Sequence, residues 1–310
     1  GPQSGKQAFL KRIREAYEQV AAGKRIVVVE GTGQPGVGSV AGISNGDVIN
    51  ELRGMGVPVF VVMVSRAGIG SMIDQVFPYL MALDHLGTRV DGLIVNDVLP
   101  AKLDKIRHYL QTYYDDVFPC LYGDRLLTQP VPPILGFVSS IPELRMPTVR
   151  LITERFRADK RSGLELVSPD AFHQYGSRLV RAIKVVNLRY GYERYVESGD
   201  AVIVGINAND AILSVVLHHE RLISAHGRGL SGLILSCKSV GGLSQQVRQE
   251  LISIDDLPAI ALDYDTADVV RRVEDMSVKI QPYDVDKKQM IDEVFQEHLT
   301  LWPELHAVPG

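Results

Sequence analysis

The sequence predicts an α/β protein with two successive domains, each built on a parallel sheet. Three observations lead to this fold class. Short apolar runs end in glycines or polar residues, segments with helical spacing lie between these runs, and a polar stretch at residues 159–170 divides the 310-residue chain. Strands that alternate with helices form βαβ units, which build parallel sheets with right-handed crossovers. The length also favours two domains.

The first half contains apolar runs that are short and continuous, as strands buried on both faces are. The predicted strands are residues 25–30, 58–64, 92–95 and 134–138. Apolar residues at helical spacing predict helices at residues 9–22, 47–55, 71–86 and 101–114. A ligand of such a sheet is expected at the carboxyl ends of its strands.

The second half repeats the same alternation. Its predicted strands are residues 179–186, 201–205, 230–235 and 258–262. Its predicted helices are residues 188–196, 209–220, 241–251, 266–275 and 286–299. We therefore expect a second, smaller parallel α/β unit, separated from the first by a polar linker.

Composition limits the classes of partner. The 33 basic and 37 acidic residues are well mixed and give a net charge of −4, so neither nucleic acid nor an anionic membrane is expected to bind. No apolar run reaches the ~18 residues of a membrane span. The two cysteines, Cys120 and Cys237, lack metal-binding spacing and suit a reducing compartment. We expect a cytoplasmic protein, and an organelle stays open if an N-terminal segment has been removed.

Glu30 follows the first predicted strand and precedes a glycine-rich stretch. An acid at this place suits a magnesium ligand, and glycines let backbone N–H groups approach an anion closely. The alternative is a solvated acid in a glycine-rich turn. Spacing alone leaves both open.

The next two strand ends also carry polar residues. Residues 65–71 form a glycine-containing loop that opens a helix, which would either bind an anion or cap the helix. Asn96 follows the third predicted strand, where its amide could read an adenine edge or simply form a turn.

Several segments in order carry a family resemblance: VVVEGTGQPGVGS with SNGDV, PVFVVMV, GLIVNDVLP, and PPILGFVSSIPEL followed by MPTVR. Residues 25–158 resemble the dethiobiotin synthetase-like P-loop family. They are most similar to the branch that forms the N-terminal region of long bacterial phosphate acetyltransferases. The resemblance implies a P-loop-NTPase-like, nucleotide-binding domain at residues 1–158, with ATP and Mg²⁺ as cofactors.

The resemblance also implies roles for individual residues. Glu30 falls on a magnesium-ligand position, and Asn96 falls on the adenine-reading position. The loop that faces substrate or the γ-phosphate comprises Gly31, Thr32, Gly33, Gly36, Gly38 and Ser39. The residues beside the base are Val138, Ser139 and Ile141.

The family's phosphate-binding loop, G-x-x-x-x-G-K-[ST], has no counterpart in this chain. The segment GPQSGKQ at residues 1–7 is one residue short between its glycines and has Gln7 in place of Ser or Thr. ATP binding by this chain alone is therefore expected to be weak or absent. Truncation, evolutionary loss and supply by another polypeptide all remain open.

Residues 171–310 resemble the DRTGG domain that follows the P-loop half in the same phosphate acetyltransferases. The matching segments are SGDAVIVGINANDAIL, LSGLILSCKSVGG, LPAIALDYDTADVV and KIQPYD. The run Asp-Arg-Thr-Gly-Gly itself is absent, and residues 207–210 stand at that turn. We predict that Asn209 is a helix N-cap. Asp263, Asp265 and Thr266 are either ligand-binding or capping residues.

Two functions follow as hypotheses. The first is a regulatory protein that binds a nucleotide or a small anionic metabolite without ATPase activity. The second is a truncated ATP-dependent, magnesium-requiring ligase or kinase-like enzyme, so whether the chain is an enzyme stays open. A homodimer is expected under both, and a scaffold that kept only the fold is a third option.

Overall fold

The structure is a computed structural model that describes residues 2–33, 42–66, 68, 70, 72–121 and 128–299. It confirms the α/β class, because parallel strands alternate with helices in both halves. The chain divides into two compact units, Gly1–Ser140 with Met290–Gly310, and Ile141–Gln289. This division differs from the predicted one, since residues 159–170, expected to be a linker, lie inside the second unit.

The first unit contains a three-stranded parallel sheet in the order β1-β2-β3. The strands are β1 (Val62–Arg66), β2 (Gly92–Val98) and β3 (Ile134–Ser139). The helices are α1 (Pro2–Ala21), α2 (Asn45–Gly54), α3 (Phe77–His85), α4 (Leu103–Thr112) and α5 (Phe118–Leu121). A π-helical turn, Met72–Val76, precedes α3, and a second one, Tyr113–Val117, follows α4.

One face of this sheet forms the core of the first unit. Leu93 and Val95 are fully buried in a cluster with side chains of α3, α4 and the aromatic segment that follows α4. Phe77 and Phe118 stack there with ring centroids 4.3 Å apart. On the opposite face, Val64 of β1 is 59% exposed. Burial in the first unit is therefore one-sided at β1.

The prediction of a buried strand at residues 25–30 is wrong. This segment forms no strand. Ile26, Val28 and Val29 are 64%, 91% and 56% exposed. An apolar run is buried as a strand only when neighbouring strands flank it, and among the described residues β1 pairs with β2 alone.

Residues 2–7, from the segment that superficially resembles a phosphate-binding loop, belong to a helix. Helix α1 begins at Pro2, and the Lys6 ammonium lies 2.7 Å from the Asp47 carboxylate in α2. Partial burial works to raise the pKa of Asp47, but hydrogen bonds from Lys6 and Ser44 outweigh it and lower that pKa. Lys6 therefore joins two helices.

The second unit contains a sheet in the order β4-β8-β7-β6-β5, with β4 antiparallel to the rest. The strands are β4 (Glu165–Leu166), β5 (Ile183–Val185), β6 (Ala201–Gly205), β7 (Gly232–Ser236) and β8 (Ala259–Ala261). The helices are α6 (Val149–Arg157), α7 (Pro169–Tyr175), α8 (Asn209–His226), α9 (Gln245–Ser253) and α10 (Thr266–Glu274). The last helix, α11 (Val285–His298), begins in the second unit and ends in the first. No helix within the described residues is long and apolar enough to cross a membrane.

Helices cover both faces of this second sheet. Alternate residues such as Val202 and Leu233 pack against α8 and α9. Their neighbours Ile203 and Ile234 pack against α6, α7 and α10 on the other face. Burial on both faces explains why these strands read as continuous apolar runs in the sequence.

The predicted helix at residues 188–196 is wrong. Only Tyr192–Arg194 is helical there, as a single 3₁₀ turn, and Gly191 precedes it with φ of 90°. The Ser214 hydroxyl donates a hydrogen bond to the Arg189 carbonyl (2.9 Å) and so holds an irregular loop against α8. Of the three tyrosines in this loop, Tyr190, Tyr192 and Tyr195, only Tyr192 is buried.

His219 is a fully buried polar residue of α8. Its Nδ1 accepts a hydrogen bond from the Leu230 amide (3.0 Å), so Nε2 carries the proton and donates to Asp256 (2.9 Å). A Cβ at position 229 would lie 2.4 Å from this ring, so only glycine fits at Gly229. The neighbouring His218 bonds instead to the Val196 carbonyl. Both histidines therefore have structural partners.

We expect His219→Leu to lower the free energy of unfolding by about 2–4 kcal/mol, because the buried Leu230 amide loses its acceptor. Urea denaturation followed by circular dichroism measures the loss. His226, which is exposed at the end of the same helix, is the matched control. His226→Leu should change the stability by less than about 1 kcal/mol. An equally small effect at His219 would contradict its structural role.

Candidate functional site

The carboxyl end of β2 is irregular. Val95 pairs with Phe137 and Val98 pairs with Ser139, so β2 carries one more residue than β3 over this stretch. Asp97 lies in this bulge with φ of 63°. Positive φ is uncommon for residues other than glycine, and both bulges and such conformations concentrate at functional sites. The bulge therefore marks this edge as the candidate site of the first unit.

Asn96 and Arg66 lie side by side at this edge. They are partners in the register of β1 and β2, so their side chains project to the same side of the sheet. Both residues are exposed, and Arg66 forms no ion pair with the described residues. An amide that can donate and accept thus stands beside an available cation.

The end of β3 completes the edge. Ser139 pairs with Val98, and the Ser140 amide donates to the Val98 carbonyl (2.7 Å). The Val138 side chain is buried, so a ligand here would meet its backbone. The structure therefore brings Asn96, Val138 and Ser139 together. Ile141 belongs to the second unit, where its carbonyl accepts a hydrogen bond from the amide of Leu144.

The predicted substrate loop is described only in part. The Thr32 amide and hydroxyl both donate to the Asn45 side chain, at 3.3 and 3.1 Å. A Cβ at Gly31 would lie 3.2 Å from the same side chain, and Gly33 has φ of 80°. Gly31 and Thr32 therefore stand against the first turn of α2. Gly36, Gly38 and Ser39 lie outside the described residues.

Glu30 lies on the exposed extended segment before this loop and has no hydrogen bond or ion pair with a described residue. Over the described ranges, no group of three or more His, Cys, Asp or Glu side chains is arranged to hold a metal ion. The described residues alone thus do not make a magnesium site around Glu30. Its metal-binding role stays a prediction.

The carboxyl edge of the second sheet is held by charged residues. Lys238, after β7, donates to the Gly163 carbonyl (2.9 Å) and pairs with Glu165 (2.9 Å). Arg248 of α9 pairs with the same carboxylate at 2.5 Å. Asp263 accepts the Ser239 amide at 2.9 Å, and hydrogen bonding to Ser239 keeps the pKa of Asp263 below its ordinary value.

Three residues at this edge had open roles in the sequence. Asp265 is the N-cap of α10, since its side chain accepts the Asp268 amide (2.7 Å). The Thr266 hydroxyl lies 2.8 Å from the Ser236 hydroxyl of β7. Asp263 fastens the loop after β7 instead of capping a helix.

The prediction that Asn209 is an N-cap is wrong. Ala208 is the N-cap of α8 and supplies no side-chain hydrogen bond. The Asn209 side chain instead accepts the Ser244 amide (3.2 Å), which ties α8 to the start of α9. Nearby, Cys237 leaves β7 with φ of 60°. As in the first unit, a residue with positive φ stands where a central parallel strand ends.

Comparison with known proteins gives one weak structural similarity. No family model matches the chain, and no curated protein matches it. The crystal structure of the CBS and DRTGG domains of the regulatory region of Clostridium perfringens pyrophosphatase, complexed with its activator diadenosine tetraphosphate, is similar with a TM-score of 0.32 and 12% identity. The matched region covers 50% of this chain and 61% of the pyrophosphatase chain. A similarity of this size assigns the chain to no family.

The ion pairs of Glu165 with Lys238 and Arg248, here called the Glu165 cluster, should affect stability at acidic pH. The hydrogen bond from Lys238, helped by Arg248 and opposed by partial burial, lowers the pKa of Glu165. As the pH falls, Glu165 is protonated at a higher pH in the unfolded chain than in the folded chain. Its contribution to stability is therefore present above the unfolded pKa of about 4.3, and it is lost as the pH falls through the lower pKa of the folded chain. Glu165→Gln should cost about 1 kcal/mol at pH 7 and flatten the loss of stability between about pH 5 and 3.

Urea denaturation at a series of pH values measures this effect. Glu250→Gln is the control, because Glu250 is exposed on α9. Equal pH profiles for Glu165→Gln and the unsubstituted chain would show that the cluster adds nothing to stability.

Proposed function

We propose that the carboxyl end of the first sheet binds a nucleotide or a small anionic metabolite, and that the chain is a regulatory protein. The observation that carries the proposal is the pair of Asn96 and Arg66 at the bulged end of β2. The family resemblance extends it to a protein related to the N-terminal region of phosphate acetyltransferases.

The chemistry of the pair suits an adenine nucleotide. A carboxamide presents a donor and an acceptor together, which matches the donor and acceptor on the edge of adenine. A guanidinium binds phosphate or carboxylate oxygens through a planar fork of N–H groups. Arg66 alone would suffice for an anionic metabolite, whereas a nucleotide would use both side chains.

The sequence favours a protein that binds a nucleotide without transferring or hydrolysing its phosphate. Phosphoryl transfer in P-loop proteins uses a lysine on the β/γ-phosphates and a hydroxyl on Mg²⁺. The 310 residues contain no G-x-x-x-x-G-K-[ST] motif that would supply them. A regulatory role needs only a ligand whose affinity differs between two states of the protein.

Titration calorimetry with ATP, ADP, AMP and inorganic triphosphate tests the proposal. We expect ATP to bind with a Kd weaker than about 100 µM, because the phosphate contacts are few. Asn96→Leu should weaken the binding of the adenine nucleotides about tenfold, because the base loses its hydrogen bonds. The binding of inorganic triphosphate, which has no base, should stay unchanged. Arg66→Gln should weaken the binding of both the nucleotides and inorganic triphosphate.

Arg12→Gln is the control for loss of one exposed cation, since Arg12 lies on α1. Unchanged nucleotide binding in both Asn96→Leu and Arg66→Gln would place any nucleotide elsewhere. Submicromolar ATP binding would contradict the expectation of a weak site.

The second candidate function is an ATP-dependent, magnesium-requiring ligase of the dethiobiotin synthetase-like family. The observation that favours it is Glu30, an acid that directly precedes Gly31 and Thr32, which lie against the Asn45 side chain at the first turn of α2. If Glu30 holds Mg²⁺, Glu30→Gln should weaken the magnesium dependence of ATP binding, because an amide replaces the anionic ligand. Titrations with and without Mg²⁺ measure it, and an unchanged dependence counts against this role.

A further inference from the structure

Helix α8 has one side that is exposed among the residues that the structure describes. Leu217 is 53% exposed, and it lines a shallow surface groove together with Glu220, Arg221, Ser224 and Ala225. These residues recur at helical spacing, so they share one side of α8. The opposite side of the helix, including Ile212 and Val215, is fully buried in the core.

The loop that is hydrogen-bonded to α8 also exposes apolar side chains. Leu188, Tyr190 and Tyr195 are 72%, 71% and 47% exposed. The loop is fixed to α8, because the Ser214 hydroxyl bonds to the Arg189 carbonyl and lies 2.7 Å from the Tyr192 hydroxyl. Exposed apolar side chains that include tyrosine are typical of protein interfaces. We call Leu188, Tyr190, Tyr195, Leu217, Glu220 and Arg221 the α8 surface.

The charges on the α8 surface are self-complementary. Glu220 and Arg221 are adjacent, exposed, and without an ion pair to any residue that the structure describes. Suppose that an identical helix runs antiparallel, with the two-fold axis between these positions. Glu220 then faces the partner's Arg221, and Arg221 faces the partner's Glu220. In the same register Leu217 faces the partner's Ser224.

We propose that the α8 surface is a homodimer interface whose occupant is a second copy of this chain, with antiparallel α8 helices centred between Glu220 and Arg221. A two-fold interface uses the same patch on both subunits, so opposite charges must be arranged symmetrically about its axis. An unrelated partner would impose no such order. A standard interface buries about 800 Å² per subunit, so the proposed dimer uses the neighbouring loop as well as the 18-residue helix α8. The proposal is independent of nucleotide binding.

Charge reversal tests both the surface and the register. Glu220→Arg and Arg221→Glu each place like charges opposite one another twice, so each should raise the dimer Kd at least about tenfold. The double variant E220R/R221E restores opposite charges and should return the Kd to within about threefold of the unsubstituted chain. Sedimentation velocity over a concentration series measures the Kd.

Two further variants make the result specific. Leu217→Asp should also weaken the dimer, because it replaces an apolar side chain of the interface with a charge that faces the partner's Ser224 and has no opposite charge to pair with. Glu250→Arg, a charge reversal on the exposed side of α9, should leave the Kd unchanged. Circular dichroism checks that every variant is folded.

The unsubstituted chain remaining monomeric at about 100 µM would overturn the proposal. A dimer that withstands both single reversals would also overturn it, since α8 would then lie outside the interface. If both single variants weaken the dimer but the double variant does not restore its Kd, the proposed antiparallel register is excluded.

Discussion

The second unit depends on strands that are buried on both faces. Strands β6, β7 and β8 place alternate side chains into two separate apolar clusters, so a polar side chain finds room only where a strand ends. There the backbone bonding continues: the Cys237 amide donates to the Tyr264 carbonyl, and the Lys238 amide donates to the Leu262 carbonyl. Because the backbone groups are satisfied, the Lys238 and Asp263 side chains are available to fasten the surrounding loops.

The same constraint decides which elements could be predicted from the sequence. Residues 201–205 form a strand as predicted, because their apolar run is flanked by other strands and covered by helices. Ile26, Val28 and Val29 belong to an equally apolar run but remain exposed, since composition cannot tell whether a neighbouring strand is present. Residues 188–196 were predicted to form a helix, yet a glycine with positive φ and a hydrogen bond from Ser214 hold them in a loop.

The candidate site was predictable only where one residue carries the signal. Asn96 was found because an amide at a strand end has a recognisable chemistry. Arg66 was not singled out, because its position beside Asn96 depends on the register of two strands that are far apart in sequence. Asp97 and Cys237 gave no sequence signal for their positive φ. Asn209 was misread as a cap, since its true partner, the Ser244 amide, is brought near only by the folded sheet.

The one-sided burial of β1 changes how sequence variation in this protein should be understood. At Ile203 or Ile234 a smaller side chain leaves a cavity between packed layers, so selection on such positions acts through folding. At Val64 or Val28 the side chain already faces solvent, and a polar replacement would remove no packing. Related chains can therefore drift to polar residues there without losing the fold. Persistently apolar residues at those positions would indicate selection for keeping a contact surface.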